Sequence, residues 1–542
     1  MGNFPEPLRI ADDWEDQFIV RPTLAERADV AVRRLDRLIH EMAANWESLN
    51  PEEDPRVDPA ERARFVGAWH EHRQIYGYTL LSELPFALRN ALHDHPDVEG
   101  VDYDLLIVDE YQDLNACDLE VLRLIADRGC SIIGAGDDDQ SIYSFRRAAP
   151  AGIRRFPDDY PNAASYALSL TQRCGNRIME WATYVIEGDP DRPHGRPRLQ
   201  SAPGSPAGEA ALLAFQGEAA EAAGICSLAR NLIEREGVEP EEILILLRGD
   251  YNHTFSNPIK QGLDRLRIRY SDPGIVERIL GETSNRRMLE VLRLLVDRRD
   301  SLAWASLLRL TPGIGDSFFD YIYERARVAR IQFGQALLNA YRENFAGGPR
   351  GSSTRAQELI HTVSAWLDGH AVPEETPEDG WGAWIVATAG GDIAPTATDE
   401  LQDLLLALDD LIETDQGLGR YLGQIYPLGK DRALAESQGV RIMTMGGAKG
   451  LTVRVTIIAG LEEGIIPRPD SDLAEERRLL YVGMTRAKHY LYGTWARRRR
   501  GPTARAGAPR IAIARRHSHF LDGGPITSED GNTYLNRRWP GR

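Results

Sequence analysis

Apolar residues recur every three or four positions over the first hundred residues, a spacing typical of amphipathic helices. Two proline-containing stretches, 50–55 and 57–59, interrupt this spacing and predict turns between the helices. The predicted helices span residues 24–46, 60–76 and 79–93.

From residue 104 the pattern changes to short, nearly continuous apolar runs that alternate with helical stretches. Such runs are typical of the buried strands of a parallel sheet, whose crossovers are usually helices. A Pro-, Gly- and Arg-rich linker at 188–208 separates two groups of these runs. Strands are predicted at 104–108, 131–135, 165–170, 210–215, 243–247, 268–270, 440–445, 455–459 and 490–494, and helices at 117–127, 175–186, 219–236 and 474–485.

Residues 283–432 return to mostly helical spacing within the second α/β region, so we interpret them as an insertion. The turn at 312–315, Pro-Gly-Ile-Gly, follows one of its predicted helices and has the composition of a helix-ending turn. The predicted helices of the insertion include 287–296, 302–310, 317–330 and 401–414.

Composition limits the class of protein. A chain of 542 residues is too long for a single hydrophobic core. No apolar run approaches the ~20 residues of a membrane-spanning helix, so we expect a cytoplasmic protein without a membrane partner. The four cysteines are widely spaced and form no Cys-x-x-Cys pair, which argues against a zinc site or a disulfide framework.

The net charge of −18 is unfavourable for a polyanionic partner, but the charge is unevenly distributed. Residues 477–521 contain 12 Arg or Lys and no Asp or Glu. A local basic surface can bind nucleic acid on an acidic protein, because the phosphate-facing patch is what releases counterions. Arg497 to Arg500 could therefore contact phosphates, or could be a solvated surface segment.

An acidic pair, Asp109 and Glu110, follows directly after the apolar run 104–108. Side chains at the carboxyl ends of parallel strands face the ligand crevice of open α/β sheets. Hydrolysis of a nucleotide needs a metal and an oriented water, and these two carboxylates suit those tasks. The alternative is that the pair only ends the strand or caps a helix.

A second polar run, 136–148, follows the next predicted strand. Gln140 offers an amide that could sense a phosphate, and the rings of Tyr143 and Phe145 could stack on bases. Arg146 and its neighbour could contact a nucleic-acid backbone. Alternatively, the two rings are core residues of a short helix.

A phosphate-binding loop is missing from the sequence. No Gly-x-x-x-x-Gly-Lys-Ser/Thr occurs, and Gly429-Lys430-Asp431 lacks both the glycine spacing and the hydroxyl. The acidic pair therefore lacks its usual partner motif in this chain.

Together the two polar runs resemble the second and third motifs of the UvrD/Rep-type superfamily 1 DNA helicases. Later segments resemble further motifs of that family in the expected order, although Gln172, Gly446 and Thr452 replace its usual Tyr, His and Glu. The 312–315 turn resembles a Gly-Ile-Gly turn that can touch duplex DNA. The later segments are 168–174, 440–451 with 460–467, 476–488 and 518–521.

The resemblance implies an α/β fold with two RecA-like parallel-sheet motor domains, the first incomplete, and helical insertions. It divides the chain into a helical accessory insertion (1–80), the remainder of the first motor domain (81–162), the first part of the second motor domain (163–282), its helical insertion (283–432), and its closing part with a basic tail (433–542).

The resemblance also implies ATP and Mg²⁺ as cofactors and specific roles for individual residues. The implied catalytic residues are Asp109, which also binds Mg²⁺, Glu110, Gln140, Arg173 and Arg486. The implied nucleotide contacts are Asp109, Gln140, Arg173, Gly450 and Arg486, and the implied DNA contacts are Tyr143, Phe145, Arg146, Thr444 and Lys449.

Three functional hypotheses follow from the sequence. The first is an ATP-dependent 3′ to 5′ DNA helicase or translocase acting on single-stranded DNA and single/double-strand junctions, in repair or defence. It needs a phosphate loop from a missing N-terminal segment or from a partner protein. The second is a non-hydrolysing DNA-binding or scaffold protein. The third is a subunit of a nuclease–helicase complex whose nuclease is a partner.

Overall fold

The computed structural model describes residues 9–143, 151–193, 196, 198–271, 274–391, 393–411, 417–435, 439–469, 471–504 and 513–541. The chain divides into two compact units. A helical unit comprises 1–100 and 274–435, and a sheet unit comprises 101–273 and 436–542. Each unit is therefore built from two separate stretches of sequence. The five-part division of the sequence stays a prediction.

The helical unit begins with helices that the apolar spacing predicted. The predicted helix 24–46 is interrupted, because Asp29 adopts a left-handed backbone conformation with φ 52° between two helices. The helix Pro59–Tyr76 begins at Asp58, whose carboxylate accepts hydrogen bonds from two backbone N–H groups, and ends at the left-handed Gly77. The first stretch contains the α-helices Asp13–Glu15, Arg21–Arg27, Val32–Ser48, Pro59–Tyr76 and Glu83–Asp94, and the π-helical turn Asp16–Val20.

The second stretch of the helical unit shares a core with the first. Trp69 and Tyr76 from the first stretch and Trp304, Phe318 and Phe333 from the second are all buried in one apolar cluster. Burial of such large rings is the main stabilising contribution to a helical unit of this kind. Its helices are Ile275–Gly281, Thr283–Val296, Ser301–Arg309, Asp316–Ala329, Phe333–Arg342, Arg350–Asp368, Gly380–Thr388, Asp399–Asp409 and Leu418–Ala435.

The sheet unit is organised around strands in two main sheets. The α-helices that accompany them are Ala116–Ala126, Ala151–Arg154, Phe156–Asp159, Asn176–Glu187, Glu218–Glu236, Ser256–Arg265, Leu473–Met484 and Gly531–Arg538. The strands are β1 Leu105–Val108, β2 Ser131–Gly134, β3 Leu170–Thr171, β4 Gln200–Ser201, β5 Glu209–Phe215, β6 Ile243–Leu247, β7 Tyr270–Ser271, β8 Val440–Thr444, β9 Val453–Ile458, β10 Ala487–Ala496, β11 Arg498–Arg499, β12 Ile513–Ala514 and β13 Ser528–Asp530.

The larger sheet has seven parallel strands in the order β13-β5-β10-β9-β6-β8-β7. Every residue of β6 is buried, as expected for a central parallel strand covered on both faces. Helices cover the sheet, and Leu228 and Leu232 of the helix Glu218–Glu236 pack in its core. The α/β fold class predicted from the sequence is confirmed, and it is consistent with a RecA-like fold.

The smaller sheet carries the acidic pair. β1 and β2 pair in parallel with Leu106 opposite Ile132 and Val108 opposite Gly134. The backbone N–H of Ala135 donates to the carbonyl of Val108 at 2.8 Å, and the N–H of Tyr111 donates to the carbonyl of Ala135 at 2.9 Å. The polar runs that follow the two strands are thereby held side by side.

Two predicted strands differ from the observed ones. Of the predicted strand 165–170 only Leu170 pairs, as part of the short strand Leu170–Thr171 beside Gln200–Ser201, and residues 165–169 are exposed. The predicted strand 490–494 is twice as long in the structure, Ala487–Ala496, because it pairs on both sides with β5 and β9.

None of the helices in the described ranges has the length and apolar character needed to cross a bilayer.

Candidate functional site

Asp109 and Glu110 lie directly after the last residue of β1. Glu110 adopts a left-handed backbone conformation, φ 51°, which is uncommon for a residue other than glycine. Its N–H donates to the Asp109 carboxylate at 2.8 Å, and its own carboxylate is about half exposed. The backbone therefore turns sharply here and presents the Glu110 side chain at the end of the strand.

Gln112 connects the acidic pair to the polar run after β2. Its side chain is fully buried. The amide nitrogen donates to the Glu110 carboxylate at 2.5 Å, and the amide oxygen accepts from the backbone N–H of Asp137 at 2.9 Å. A Cβ at Gly136 would clash with this amide oxygen, so the close approach requires glycine there. The sequence reasoning did not single out Gln112.

Gln140 lies between an acidic and a basic partner. Its amide nitrogen donates to Asp137 at 2.7 Å, and its amide oxygen accepts from the guanidinium of Arg486 at 3.1 Å. The structure therefore brings the predicted sensor into direct contact with one of the two predicted arginine fingers.

Arg486 is buried, with 1% of its surface exposed. Its guanidinium also donates to the backbone carbonyls of Val482 and Leu451, at 2.9 and 3.2 Å. Burial and then the positive charge of Arg173 lower the pKa of Arg486 to about 10. Two cationic groups brought this close together favour an anionic ligand between them.

Arg173 lies in an open cleft of about 510 Å³ that Gln140 also lines. Thr171, Thr452 and Tyr481 contribute to the same walls. The backbone N–H of Arg173 donates to the hydroxyl of Thr171 at 3.1 Å, and this hydrogen bond fixes the turn after β3. The cleft thus contains the sensor amide and one predicted finger, and the second finger is hydrogen-bonded to that amide.

Lys449 points into the acidic side of the site. Its ammonium group lies 2.5 Å from Asp113 and 3.3 Å from Glu110, and donates to the carbonyl of Gln140 at 3.1 Å. It also lies 5.3 Å from the centre of the Tyr143 ring. In this structure Lys449 therefore makes ionic contacts within the protein.

The other predicted DNA contacts have different surroundings. The hydroxyl of Tyr143 donates to the carbonyl of Gly446 at 3.3 Å, and Thr444 is exposed at the end of β8. Gly450, a predicted nucleotide contact, adopts φ 84°, a conformation that favours glycine. Phe145 and Arg146 lie outside the described residues.

Three aspartates before Gln140 are held by arginines that the sequence reasoning also missed. Arg154 contacts Asp138 at 2.6 Å. Arg192 contacts Asp139 at 3.0 Å, and Arg196 contacts Asp137 at 2.6 Å. These contacts span up to about sixty positions in sequence, so no local pattern reveals them. They fix the position of the turn that carries Gln140.

The basic run at 497–500 is only partly a surface feature. Arg499 is buried and forms ion pairs with Glu221 and Glu462, the latter at 2.6 Å. Arg500 is exposed and lies 3.4 Å from Glu218. Arg499 therefore stabilises the sheet unit and is not available to a phosphate. The turn at 312–315 joins two helices, and its Ile314 is buried in the core of the helical unit.

The residues present fit a nucleotide and a magnesium ion in part. A single carboxylate after β1 matches the way Mg²⁺ is held by one or two carboxylates together with phosphate oxygens. Among the described residues, no group of three or more acidic, His or Cys side chains could hold a metal ion independently of such a ligand. The Arg173 and Arg486 pair suits a phosphate.

Comparison with known proteins agrees with this arrangement. The UvrD/REP helicase N-terminal domain family matches residues 31–161, and the UvrD-like helicase C-terminal domain family matches residues 395–498. The first match includes the acidic pair and Gln140, and the second includes Lys449 and Arg486.

Individual relatives extend the similarity beyond these two matches. DNA helicase II of Haemophilus influenzae is 28% identical over 417 residues, which cover 73% of this chain and 55% of that protein. DNA helicase II of Escherichia coli is 28% identical over 411 residues, with 73% and 56% covered. The ATP-dependent DNA helicase PcrA of Bacillus subtilis is 26% identical, with 73% and 55% covered.

The chain spans about half the length of the curated relatives it matches. The matched regions include the acidic pair and Gln140 on one side of the site and the buried Arg486 on the other. On these matches and this geometry, the chain is similar to the UvrD-like family of superfamily 1 helicases.

Proposed function

We propose that the protein is an ATP-dependent DNA translocase that moves 3′ to 5′ on single-stranded DNA and unwinds duplex at single/double-strand junctions, in repair or defence. The observation that carries the proposal is Gln140, which hydrogen-bonds to both Asp137 and Arg486. Because Gln140 bonds both the acidic turn and a predicted finger arginine, a change in its contact with a γ-phosphate would alter the position of both.

Each site residue has a defined task in this proposal. Asp109 would hold Mg²⁺, which would supply positive charge to neutralise the phosphates. Glu110 orients the attacking water, and Gln112 holds the Glu110 carboxylate in place. Arg173 and Arg486 stabilise the charge that develops on the γ-phosphate.

DNA contacts are proposed for Tyr143, Phe145, Arg146, Thr444 and Lys449. Lys449 contacts Glu110 and Asp113 on one side and the Tyr143 ring on the other. A cation held between Glu110 and Asp113 on one side and a base-stacking ring on the other is suited to link the nucleotide state to DNA binding. We infer that this lysine couples hydrolysis to translocation.

Phosphate binding requires a further polypeptide segment with the sequence Gly-x-x-x-x-Gly-Lys-Ser/Thr, since none occurs in these 542 residues. We propose that such a segment completes the site, either upstream in the same reading frame or on a partner protein. The backbone N–H groups of such a loop would donate hydrogen bonds to the phosphates.

The test is DNA-stimulated ATP hydrolysis by this chain alone and by the chain joined to a segment that carries the loop. We expect turnover only with the loop, and Glu110→Gln should reduce it by about 10²- to 10⁴-fold because the water is no longer oriented. Arg486→Ala should reduce turnover by about 10³-fold or more. Turnover that survives Glu110→Gln would exclude the proposed chemistry.

The alternative of a non-hydrolysing DNA-binding protein predicts a different result. Such a protein would bind single-stranded DNA but show no DNA-stimulated turnover when the loop segment is present. Wild-type and Glu110→Gln proteins would then behave identically in both binding and hydrolysis assays. The comparison of these two proteins therefore separates the two functions.

A further inference from the structure

The cleft of about 510 Å³ that contains Gln140 has charged side chains of one sign only. Among the described residues that line this cleft, Arg173 and Lys488 are positively charged, and none is Asp or Glu. Most of the other polar groups in its walls are uncharged hydroxyls and amides, including those of Thr452 and Tyr481. The whole chain has a net charge of −18, so this cleft is a local positive site that favours an anion.

Lys488 lies against the turn that carries Arg173. Its backbone carbonyl accepts a hydrogen bond from the N–H of Gly175 at 3.0 Å. The thiol of Cys174 donates to the carbonyl of Thr485 at 3.4 Å, so the two turns are joined at a second point. The position of Lys488 relative to Arg173 is therefore fixed by contacts within the sheet unit.

The ammonium group of Lys488 forms no ion pair in the part of the chain that the structure describes. Two other lysines do form ion pairs, Lys449 with Asp113 and Lys430 with Glu277. Lys488 is also partly buried, so water solvates its charge less well than that of a fully exposed lysine. An anionic ligand in the cleft would therefore be a favourable partner for this charge.

Thr452 keeps a negative charge out of the cleft. It directly precedes β9, whose first residue, Val453, pairs with Ala487, the residue before Lys488. The resembled helicase family has Glu at this position, whereas this chain offers a hydroxyl that can donate to an anion. A hydroxyl and an ammonium group at the starts of two adjacent strands suit the oxygens of one phosphate or of two linked phosphates.

We propose that Lys488 is a phosphate-binding residue and that, together with Arg173 and Thr452, it binds the polyphosphate group of the nucleotide. This inference rests on the proposed function and names the part of the nucleotide that this chain recognises by itself. A polyphosphate concentrates several negative charges in one group, whereas a nucleic-acid strand spreads its charges along an extended backbone. The cations of the cleft converge in one place, which favours the polyphosphate.

The contacts made by this chain are few, so its own binding of a polyphosphate is weak, with a dissociation constant of about 1 mM. Tight binding and hydrolysis still require the loop segment, whose backbone N–H groups would add the remaining contacts. The cleft and the loop therefore make separate contributions that can be measured one at a time.

The test is phosphorus NMR of inorganic tripolyphosphate mixed with the 542-residue chain. Exchange between free and bound tripolyphosphate broadens its resonances, so weak binding can be measured. We expect Lys488→Gln to weaken this binding about tenfold, because a charged hydrogen-bond donor is lost. Thr452→Glu should weaken it as well, because the new carboxylate repels the anion. Lys488→Arg keeps the charge and should retain most of the affinity.

Lys260→Gln is the matched control and should leave the broadening unchanged. Lys260 belongs to the same unit, but its ammonium group lies 5.8 Å from the centre of the Tyr270 ring and it does not line the cleft. No broadening by the wild-type chain, equal broadening by Lys488→Gln and wild type, or an equal loss in Lys260→Gln would overturn the proposal. Displacement of the tripolyphosphate by a single-stranded oligonucleotide would assign the cleft to a nucleic-acid backbone and would also overturn it.

Binding and hydrolysis can fail separately in these experiments. In the chain joined to the loop segment, Lys488→Gln should raise KM for ATP about tenfold and change kcat by about twofold or less, as for a contact made equally in the ground state and the transition state. Tripolyphosphate binding that depends on Lys488, without any DNA-stimulated turnover, would remove the proposed function and leave this inference. Turnover that depends on Glu110, with KM unchanged in Lys488→Gln, would keep the function and remove the inference.

Discussion

At the scale of single residues, the site depends on a side chain that carries no charge. The amide nitrogen of Gln112 donates a hydrogen bond to the Glu110 carboxylate, and its amide oxygen accepts one from the backbone N–H of Asp137. The left-handed conformation of Glu110 is costly for a non-glycine residue, so it persists only where surrounding contacts fix it. Gln112 is one of those contacts, and it joins the two polar runs that follow β1 and β2.

Replacing Gln112 with Leu tests this link. The N–H of Asp137 and one oxygen of Glu110 lose their partner, and we expect the sheet unit to lose about 1–3 kcal/mol of unfolding free energy. Hydrogen exchange at the Asp137 amide should accelerate, measured by mass spectrometry on peptides covering 135–140. Gln112→Glu is the matched control, because its carboxylate still accepts from Asp137 but repels Glu110. An unchanged Asp137 exchange rate in Gln112→Leu would show that the link carries no stability.

At the scale of elements, Arg499 holds together the ends of two neighbouring strands. Glu221 accepts from the backbone N–H of Gly460, after β9, at 2.9 Å. Glu462 accepts from the N–H of Ala496, at the end of β10, at 2.7 Å. Arg499 lies between these two carboxylates and balances their charge, while burial raises the pKa of Glu462.

The change Arg499→Met should therefore be strongly destabilising. It leaves two carboxylates buried beside each other without a cation, a change that typically costs about 3–5 kcal/mol. The loss of unfolding free energy is measured by urea unfolding, monitored through hydrogen exchange on peptides of β9 and β10. Arg498→Met is the matched control, since Arg498 is exposed and surface changes usually alter stability by about 0.5 kcal/mol or less. Equal effects of the two changes would contradict a structural role for Arg499.

The elements show which features a sequence can reveal. The run Ile243–Leu247 was predicted with the observed bounds, because a central parallel strand is apolar at every position. The segment 165–170 has the alternation of a strand but pairs only at its last residue, since pairing depends on a neighbour that local sequence does not show. The acidic pair and Gln140 stand in polar runs that follow apolar strands, and Arg173 and Arg486 were predicted through the family resemblance. Gln112 and Arg192 instead depend on contacts with residues distant in sequence.

At the scale of the whole molecule, the chain has two units with separate apolar cores. Each unit is formed by two stretches of sequence, so each must gather distant segments before its core is complete. Units with their own cores unfold as separate transitions more often than as one. The stability of the helical unit can therefore be examined through groups that only this unit contains.

Glu290 gives the helical unit a pH-dependent stability. Glu290 is fully buried beside Arg286, and this burial raises its pKa from 4.5 to about 8. The positive charge of Arg286 lowers the pKa of Glu290, whereas the negative charge of Glu15 raises it further. A folded-state pKa above the unfolded value means that the folded unit holds the proton more tightly. This contribution to stability is complete below about pH 4.5 and is lost as the pH rises through about 8.

We expect the urea concentration at the unfolding midpoint of the helical unit to decrease as the pH is raised from about 4.5 to about 8. Hydrogen exchange on peptides of the helix Thr283–Val296 measures this midpoint. Glu290→Gln should flatten this dependence, because the amide does not titrate. Glu343→Gln is the matched control: Glu343 belongs to the same unit but is about half exposed, so the dependence should remain. A slope that is unchanged in Glu290→Gln would assign the pH dependence to other groups, such as the neighbouring Glu15, whose pKa burial also raises.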